Sequence, residues 1–352
     1  MPGQPRGRST LNGSSQASAC DICGRYCKIQ QVDSSSRKAE DNVTLEDRLF
    51  GRFSRSSLGL ITLLGIGSVA YSVAIEPRIL RLRQFRTGIP GLPAELDGLR
   101  VAFLSDFHVA GPGRGASLTQ QAIEIVAQER PDLVLLGGDY FDKGRWDDSS
   151  KVFDGLTAFS NVIGVLGNHD QKGGKHVAER VRQGMARRGA VILQNSAISV
   201  RVRDCDVTIA GVDDPYTNHD DLEQTLRGNP WPLILLAHAP VIETSLEPGM
   251  AGLVLSGHTH GGQIRLSPAK TLTPLDSTFY LDRLVGRRIS KYQRGFHWVN
   301  GNLLYVSNGI GTTRLPIRFM APPEVTIFHL SKNAPHPDQA CDAAARYVED
   351  IG

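Results

Sequence analysis

At 352 residues, 40% of them hydrophobic and 21% charged, the chain has a globular composition and is long enough for one large domain or two ordinary ones. A formal net charge of +3, with no basic stripe interleaved with aromatics, excludes any compositional case for a nucleic-acid partner. Five cysteines, of which Cys205 and Cys341 stand alone, give no disulfide framework.

Residues 1–56 are rich in Ser, Gly, Arg and Gln and lack a sustained apolar period, the pattern of a disordered tail. Within them Cys20, Cys23 and Cys27 open like half of a zinc knuckle. A closed site takes four ligands, and no histidine or further cysteine follows within thirty residues, so incidental thiols are the simpler reading.

The next stretch, LGLITLLGIGSVAYSVAI (58–75), carries no charge over eighteen positions. A spanning helix takes about 20 apolar residues, and a core helix is rarely apolar on every face. Segment 57–76 is therefore expected to be a retained membrane anchor. A cleaved signal peptide is the rival, because Ser68/Ala70 and Ser72/Ala74 are small-residue pairs, but some fifty residues precede the apolar core. Arg48, Arg52 and Arg55 stand before the segment, and Arg78, Arg81, Arg83 and Arg86 after it. That bias slightly favours a cytoplasmic C-terminal side, yet large domains cross largely regardless of charge. The expectation is a single-pass protein of the cell membrane, with the side of its main domain left open.

Residues 77–96, with Pro77, Pro90 and Pro93, read as a linker. Beyond it, apolar runs at 99–106, 132–139, 161–170, 232–238 and 252–258 each stop abruptly in polar or glycine residues, as strands buried on both faces do. Between the first two lies a helical pattern: Ser117 as cap, Gln120 completing a capping box, Ile123, Val126 and Ala127 on one face, and Pro131 past the end. Asn218 reads as the cap of HDDLEQTL, with His219 a helix-start residue rather than a ligand. Later runs (199–204, 206–212, 302–309, 324–330) lack long helices between them and predict mixed or antiparallel strands. The result is an α/β domain over 97–332, two packed sheets with helices outside, followed by a tail at 333–352.

In α/β sheets, sites form at the carboxyl ends of strands. Here those ends carry Asp106 and His108; Asp139; Asn168, His169 and Asp170; His238; and His258 and His260. Any one of these has an ordinary role as a cap or turn residue. All five together point to a metal centre. In extended chain His258 and His260 face the same side. Nitrogen and oxygen donors without thiolate suit Mn, Fe, Zn or Co.

D-x-H, GD, GNHD, a lone His and then GHTH, in that order over about 97–332, resembles the calcineurin-like metallophosphoesterases. The resemblance implies a two-sheet sandwich of mixed strands flanked by helices, and two divalent metal ions. One would be held by Asp106, His108, Asp139 and His260, the other by Asp139, Asn168, His238 and His258, with His169 beside the scissile phosphate. It implies hydrolysis of phosphodiester or pyrophosphate bonds by water activated between ions about 3.5–4 Å apart. GGDYFDKG resembles the GDxxDRG of related protein phosphatases and points to Asp142 as the partner of His169, with Asp170 the local alternative. Lys143 stands where that motif has arginine and lacks its bidentate fork, which argues against a protein-phosphatase substrate. Lys143 is read equally as a phosphate contact or a solvated charge.

LYVSNGIGTTRLPIRFMAPPEV, taken with the apolar segment, resembles the membrane-associated branch of the family. That branch includes phosphodiesterases and enzymes that split the pyrophosphate of UDP-2,3-diacylglucosamine in lipid A synthesis. A lipid-linked nucleotide would place Arg314 and Arg318 on a second phosphate, and Ile310, Leu315, Ile317, Phe319 and Met320 against acyl chains. The ordinary alternative is a Gly-rich loop leading into a packed edge strand. Two other functions stay open: a phosphomonoesterase of small soluble substrates, and a metal-binding scaffold without turnover, which would have no need of His169. The oligomeric state is not legible.

Overall fold

The computed structural model describes residues 55–109, 115–142, 148–228, 233–271, 284, 290–333, 344 and 348–352. The expected tail up to residue 54, Cys20, Cys23, Cys27, Lys143 and Cys341 lie outside them.

The apolar segment forms helix α1 (Arg55–Ala74). Only 11% of its apolar window is covered by the rest of the chain. Twenty residues at about 1.5 Å each span about 30 Å, the thickness of a bilayer's hydrocarbon core. Pro77 stands in the 3₁₀ turn Glu76–Arg78 that follows.

The stretch expected to be a linker carries a strand, β1 (Arg81–Gly88). It runs parallel to β12 (Glu324–Ser331) and antiparallel to β13 (Val348–Asp350), so the expected C-terminal tail also enters the sheet. Arginines disguise β1: Arg83 pairs with Asp350 and Arg86 with Glu349 (2.7 Å), while Phe85 between them is buried in the core.

β13, β1, β12, β2 (Leu99–Leu104), β3 (Leu133–Leu136), β4 (Val162–Val165) and β5 (Ala190–Leu193) make a seven-stranded sheet in that order. A six-stranded sheet runs β10 (Gly295–Val299), β11 (Asn302–Val306), β9 (Leu253–Ser256), β8 (Ile234–Leu236), β7 (Cys205–Gly211), β6 (Ser196–Val202). In each, the central strands are parallel, so their carboxyl ends emerge together.

Alternation along each strand sorts side chains into three layers. Val101 and Phe103 of β2 meet Leu236 of β8 and Leu255 of β9 between the sheets. Ala102 and Leu104 face the other way, onto Leu118, Ala122 and Val126 of α2 (Gly115–Glu129) and Val181 and Met185 of a later helix (Lys175–Ala186). On the far side of the second sheet, Ala210, Leu235 and Val254 pack on Ile242 and Leu246. This is the expected sandwich of two mixed sheets flanked by helices.

Two helix starts differ from expectation. α2 begins at Gly115, two residues ahead of Ser117. A Cβ on Gly115 would strike the carbonyl oxygens of Phe107 and His108, so the helix start passes close against that backbone. The short helix Leu222–Leu226 is capped by Asp221, which accepts from Gln224 N (2.8 Å). Asn218 and His219 lie in the preceding turn, with His219 Nδ1 2.8 Å from Thr217 Oγ1.

Candidate metal centre

The site is built where the strand ends of both sheets meet. Asp106, His108, Asp139, His258 and His260 all adopt φ between 44° and 68°, a left-handed backbone that costs a non-glycine residue about 1–3 kcal/mol. Bonds between the loops hold them there: Asp106 N to Gly138 O and His108 N to Asp139 O, each 3.0 Å, and Gly257 N to His238 O at 2.8 Å. Gly257 is where the two sheets close on each other. A Cβ there would overlap Ser105 Oγ and Asp106 Oδ2.

Two groups of donors face inward around Asp139. In one, His108 Nε2 and His260 Nε2 stand 3.0 Å apart, with Asp106 Oδ1 3.6 Å from His260 Nε2 and Asp139 Oδ2 3.4 Å from His108 Nε2. In the other, Asn168 Oδ1 lies 3.2 Å from His238 Nε2 and 3.0 Å from His258 Nδ1, and Asp139 Oδ2 lies 3.4 Å from His238 Nε2. One carboxylate oxygen therefore faces both groups. His238 donates from Nδ1 to Gly137 O (2.7 Å), which fixes its orientation. His258 is partly exposed, while Asp106, His108, Asp139, Asn168, His238 and His260 are buried.

Burial drives the electrostatics. It pushes Asp106 up to about 6, Asp139's charge adding to the effect against His238. It pushes His108 down to about 3, and His258 and His260 well below the usual imidazole range. Burial would lower His238 too, but the carboxylates of Asp139, Asp106 and Asp214 outweigh it and hold that imidazole well above its ordinary value. The cluster thus keeps three imidazoles in the neutral, ligating form and draws a proton onto the fourth to balance its carboxylates. A divalent cation supplies that positive charge without the proton. Nitrogen and carboxylate donors free of sulfur fit Mn, Fe, Zn or Co. Asp106, His108 and His260 converge closely enough to hold one ion, as do Asp106, Asp139 and His238.

His169 borders the cluster. Its backbone N donates to Asp139 Oδ1 (2.7 Å), and its Nδ1 lies 2.7 Å from Asp142 Oδ1. Its Nε2 is 2.6 Å from Lys172 Nζ. Asp170 is not the partner. Fully buried, it accepts from Gly167 N (2.9 Å), Tyr140 N (3.0 Å) and Phe141 N (3.3 Å), and burial followed by Asp139's charge pushes it up to about 8.

Other expected contacts fall differently. Arg318 cannot meet a substrate phosphate: it is 0% exposed, and its guanidinium donates to the carbonyls of Ala321 (2.7 Å), Asn308 (3.0 Å), Gly309 (3.2 Å) and Gly311. Ile310, also 0% exposed, packs in the core and is closed to acyl chains. Arg314 and Leu315 are exposed on the neighbouring loop. Sequence reasoning missed Lys172, whose only signal is its i+3 spacing from His169. It also missed Tyr216, in the turn that follows β7, whose ring lies tilted at 47° to that of His258 with centroids 4.4 Å apart.

Residues 99–262 match the calcineurin-like phosphoesterase family. The transmembrane protein with metallophosphoesterase domain of Danio rerio is 30% identical over 323 residues, spanning 87% of this chain and 68% of that protein. The chain is a calcineurin-like metallophosphoesterase. As such it is a metal-dependent phosphoester hydrolase of a family that uses two divalent ions. The metallophosphoesterase YkuE of Bacillus subtilis is 29% identical over 290 residues, 80% of this chain and 96% of that one. Phosphodiesterase YaeI of Escherichia coli is 26% identical over 237 residues, 66% of this chain and 82% of that one.

Proposed function

We propose that this metallophosphoesterase is a single-pass protein of the cell membrane that hydrolyses phosphodiester or pyrophosphate bonds of a lipid-borne substrate, such as a lipid-linked nucleotide of the UDP-2,3-diacylglucosamine kind. Asp106, His108, Asp139 and His260 would hold one ion, and Asp139, Asn168, His238 and His258 the other. When bound, the ions supply positive charge to the phosphoryl oxygens and lower the pKa of water. The protein's own residues do the rest. Asp142 holds the Nδ1 proton of His169, so that Nε2 is the atom presented to the leaving oxygen. Lys172 Nζ, against that same Nε2, is a proton source beside it. Arg314, exposed at the rim, would reach a more distal phosphate.

The observation that carries hydrolysis over a silent scaffold is the His169–Asp142 pair at 2.7 Å, an imidazole oriented by a carboxylate as proton transfer requires. The uncovered α1 supports the membrane, and the name of phosphodiesterase YaeI supports a diester over a monoester.

The test is hydrolysis by the full chain in detergent, loaded with Mn²⁺, of bis(p-nitrophenyl) phosphate, p-nitrophenyl phosphate and UDP-2,3-diacylglucosamine side by side. Fast cleavage of the lipid nucleotide with slow model esters is the expected result. Activity on the model diester alone leaves a general phosphodiesterase, and preference for the monoester makes it a phosphomonoesterase of soluble substrates. Silence on all three with metal bound makes it a scaffold.

A further inference from the structure

One loop, residues 313–321, stands between the apolar helix and the metal centre and is bonded to both. Arg318 N donates to the carbonyl of Ser72 in the last turn of α1 (3.0 Å). Met320 N and Ala321 N donate to the two carboxylate oxygens of Glu76, at 3.0 and 2.6 Å. On its other side Arg265 N donates to Phe319 O (3.0 Å) and Phe319 N to Gln263 O (2.9 Å). Gln263 Nε2 also donates to the carbonyls of Thr313 and Leu315, at 3.0 and 3.1 Å. Gln263 follows His260 by three residues, and the buried guanidinium of Arg318 comes within 3.4 Å of His260 Nδ1.

What this joint turns outward is apolar. Leu315 is 52% exposed, Met320 39% and Leu266 65%, and Ile75 (50%) and Ile79 (38%) continue the surface at the foot of α1. Arg78 and Arg81 are exposed beside them. Soluble surfaces scatter such residues singly, whereas here they gather around one helix end. The length of α1 fixes their depth. A helix of about 30 Å needs its whole length to cross a hydrocarbon core of about 30 Å, so its last turn lies at the boundary. Whatever is hydrogen-bonded to that turn lies there too.

We propose that Leu266, Leu315 and Met320, with Ile75 and Ile79, seat the catalytic domain in the interfacial layer of the bilayer, so that the metal centre opens beside the headgroup phosphates of the leaflet that holds the anchor. The partner is the lipid surface itself, with Arg78 and Arg81 matched to its anionic lipids. This proposal rests on the membrane reading above and deepens it.

The test uses the full chain in vesicles of phosphatidylcholine and phosphatidylglycerol whose acyl chains carry bromine near either the carbonyl or the methyl end. Tryptophan is introduced singly as Leu315→Trp, Met320→Trp or, within the anchor, Leu64→Trp, and read against the three native tryptophans as baseline. Quenching of the two rim probes, at positions 315 and 320, is expected from shallow bromines more than deep ones, and of the position-64 probe from deep bromines. If only the position-64 probe is quenched, the rim faces water and the proposal falls while the anchor stands. If no probe is quenched, the membrane reading falls with it. A rim signal that instead varies with protein concentration assigns the surface to a second copy and overturns the proposal. As a functional arm, Leu315→Glu with Met320→Glu should cut kcat/KM about tenfold on a vesicle-borne diester, through lost apolar burial. It should leave bis(p-nitrophenyl) phosphate within about twofold, and equal losses on both substrates overturn the proposal.

Discussion

The two sheets bring different chemistry to their shared edge. The first supplies both carboxylates and the amide of the centre, Asp106, Asp139 and Asn168, together with the one imidazole of His108. The second supplies imidazoles alone: His238, His258 and His260. Burial, with Asp139's charge adding to it, pushes Asp106 up, while the first half's carboxylates hold His238 well above the ordinary imidazole value and His258 and His260 stay well below it. Two donor groups, Asp106 with His108 and His260 and Asp106 with Asp139 and His238, draw on both halves, and the inter-sheet layer of Phe103, Leu236 and Leu255 spaces them. Both carboxylates of the centre come from the first half, and three of the four imidazoles expected to hold metal come from the second. Asp139 faces both donor groups through a single oxygen.

Removing that link should have the largest effect. Asp139→Asn is expected to lower kcat/KM on bis(p-nitrophenyl) phosphate by about 10⁴-fold or more, because charge stabilisation and ligand position fail together. The same variant decides the stability side. An ion bound at 100 times its Kd contributes about 2.7 kcal/mol, so chelation should lower the wild-type Tm by about 5–10 °C. It should lower that of Asp139→Asn by much less. Near-normal turnover, or an equal chelator effect in both proteins, would refute the bridging role.

His169 separates holding ions from using them. His169→Ala should retain both metal equivalents by elemental analysis and lose about 10²–10³-fold in kcat. A drop from two ions to one would move His169 into the ligand set, where its grouping with His108 and Asp139 makes it a candidate.

The same two halves were unequally legible. Ligand positions follow strand ends, and the parallel strands are apolar on both faces, so composition alone exposes Leu133–Leu136 or Leu253–Ser256. β1 was not legible. RLRQFRTG buries few side chains, and its arginines are answered by Asp350 and Glu349 from more than 260 residues away. Arg318 was misread for a related reason. An arginine after a Gly-rich loop looks like an anion clamp until the chain is seen to fold back and fill its fork with carbonyls. Lys172 carries no motif at all. Its meaning exists only once the turn Asn168–Gln171 lays it over His169.

Lys172 therefore gives the smallest test. Around His169 the described neighbours from the first sheet are carboxylates, an amide and an imidazole, and Lys172 Nζ brings an ammonium against its Nε2. Its side chain is exposed, so most of its charge is screened and little stability depends on it. Lys172→Met should leave metal content and Tm unchanged and lower kcat about three- to tenfold, with the deficit larger for a diester whose leaving group needs a proton than for p-nitrophenolate, which does not. Equal losses on good and poor leaving groups would mean that Lys172 only orients the imidazole. No loss on either would leave His169 sufficient with Asp142 alone.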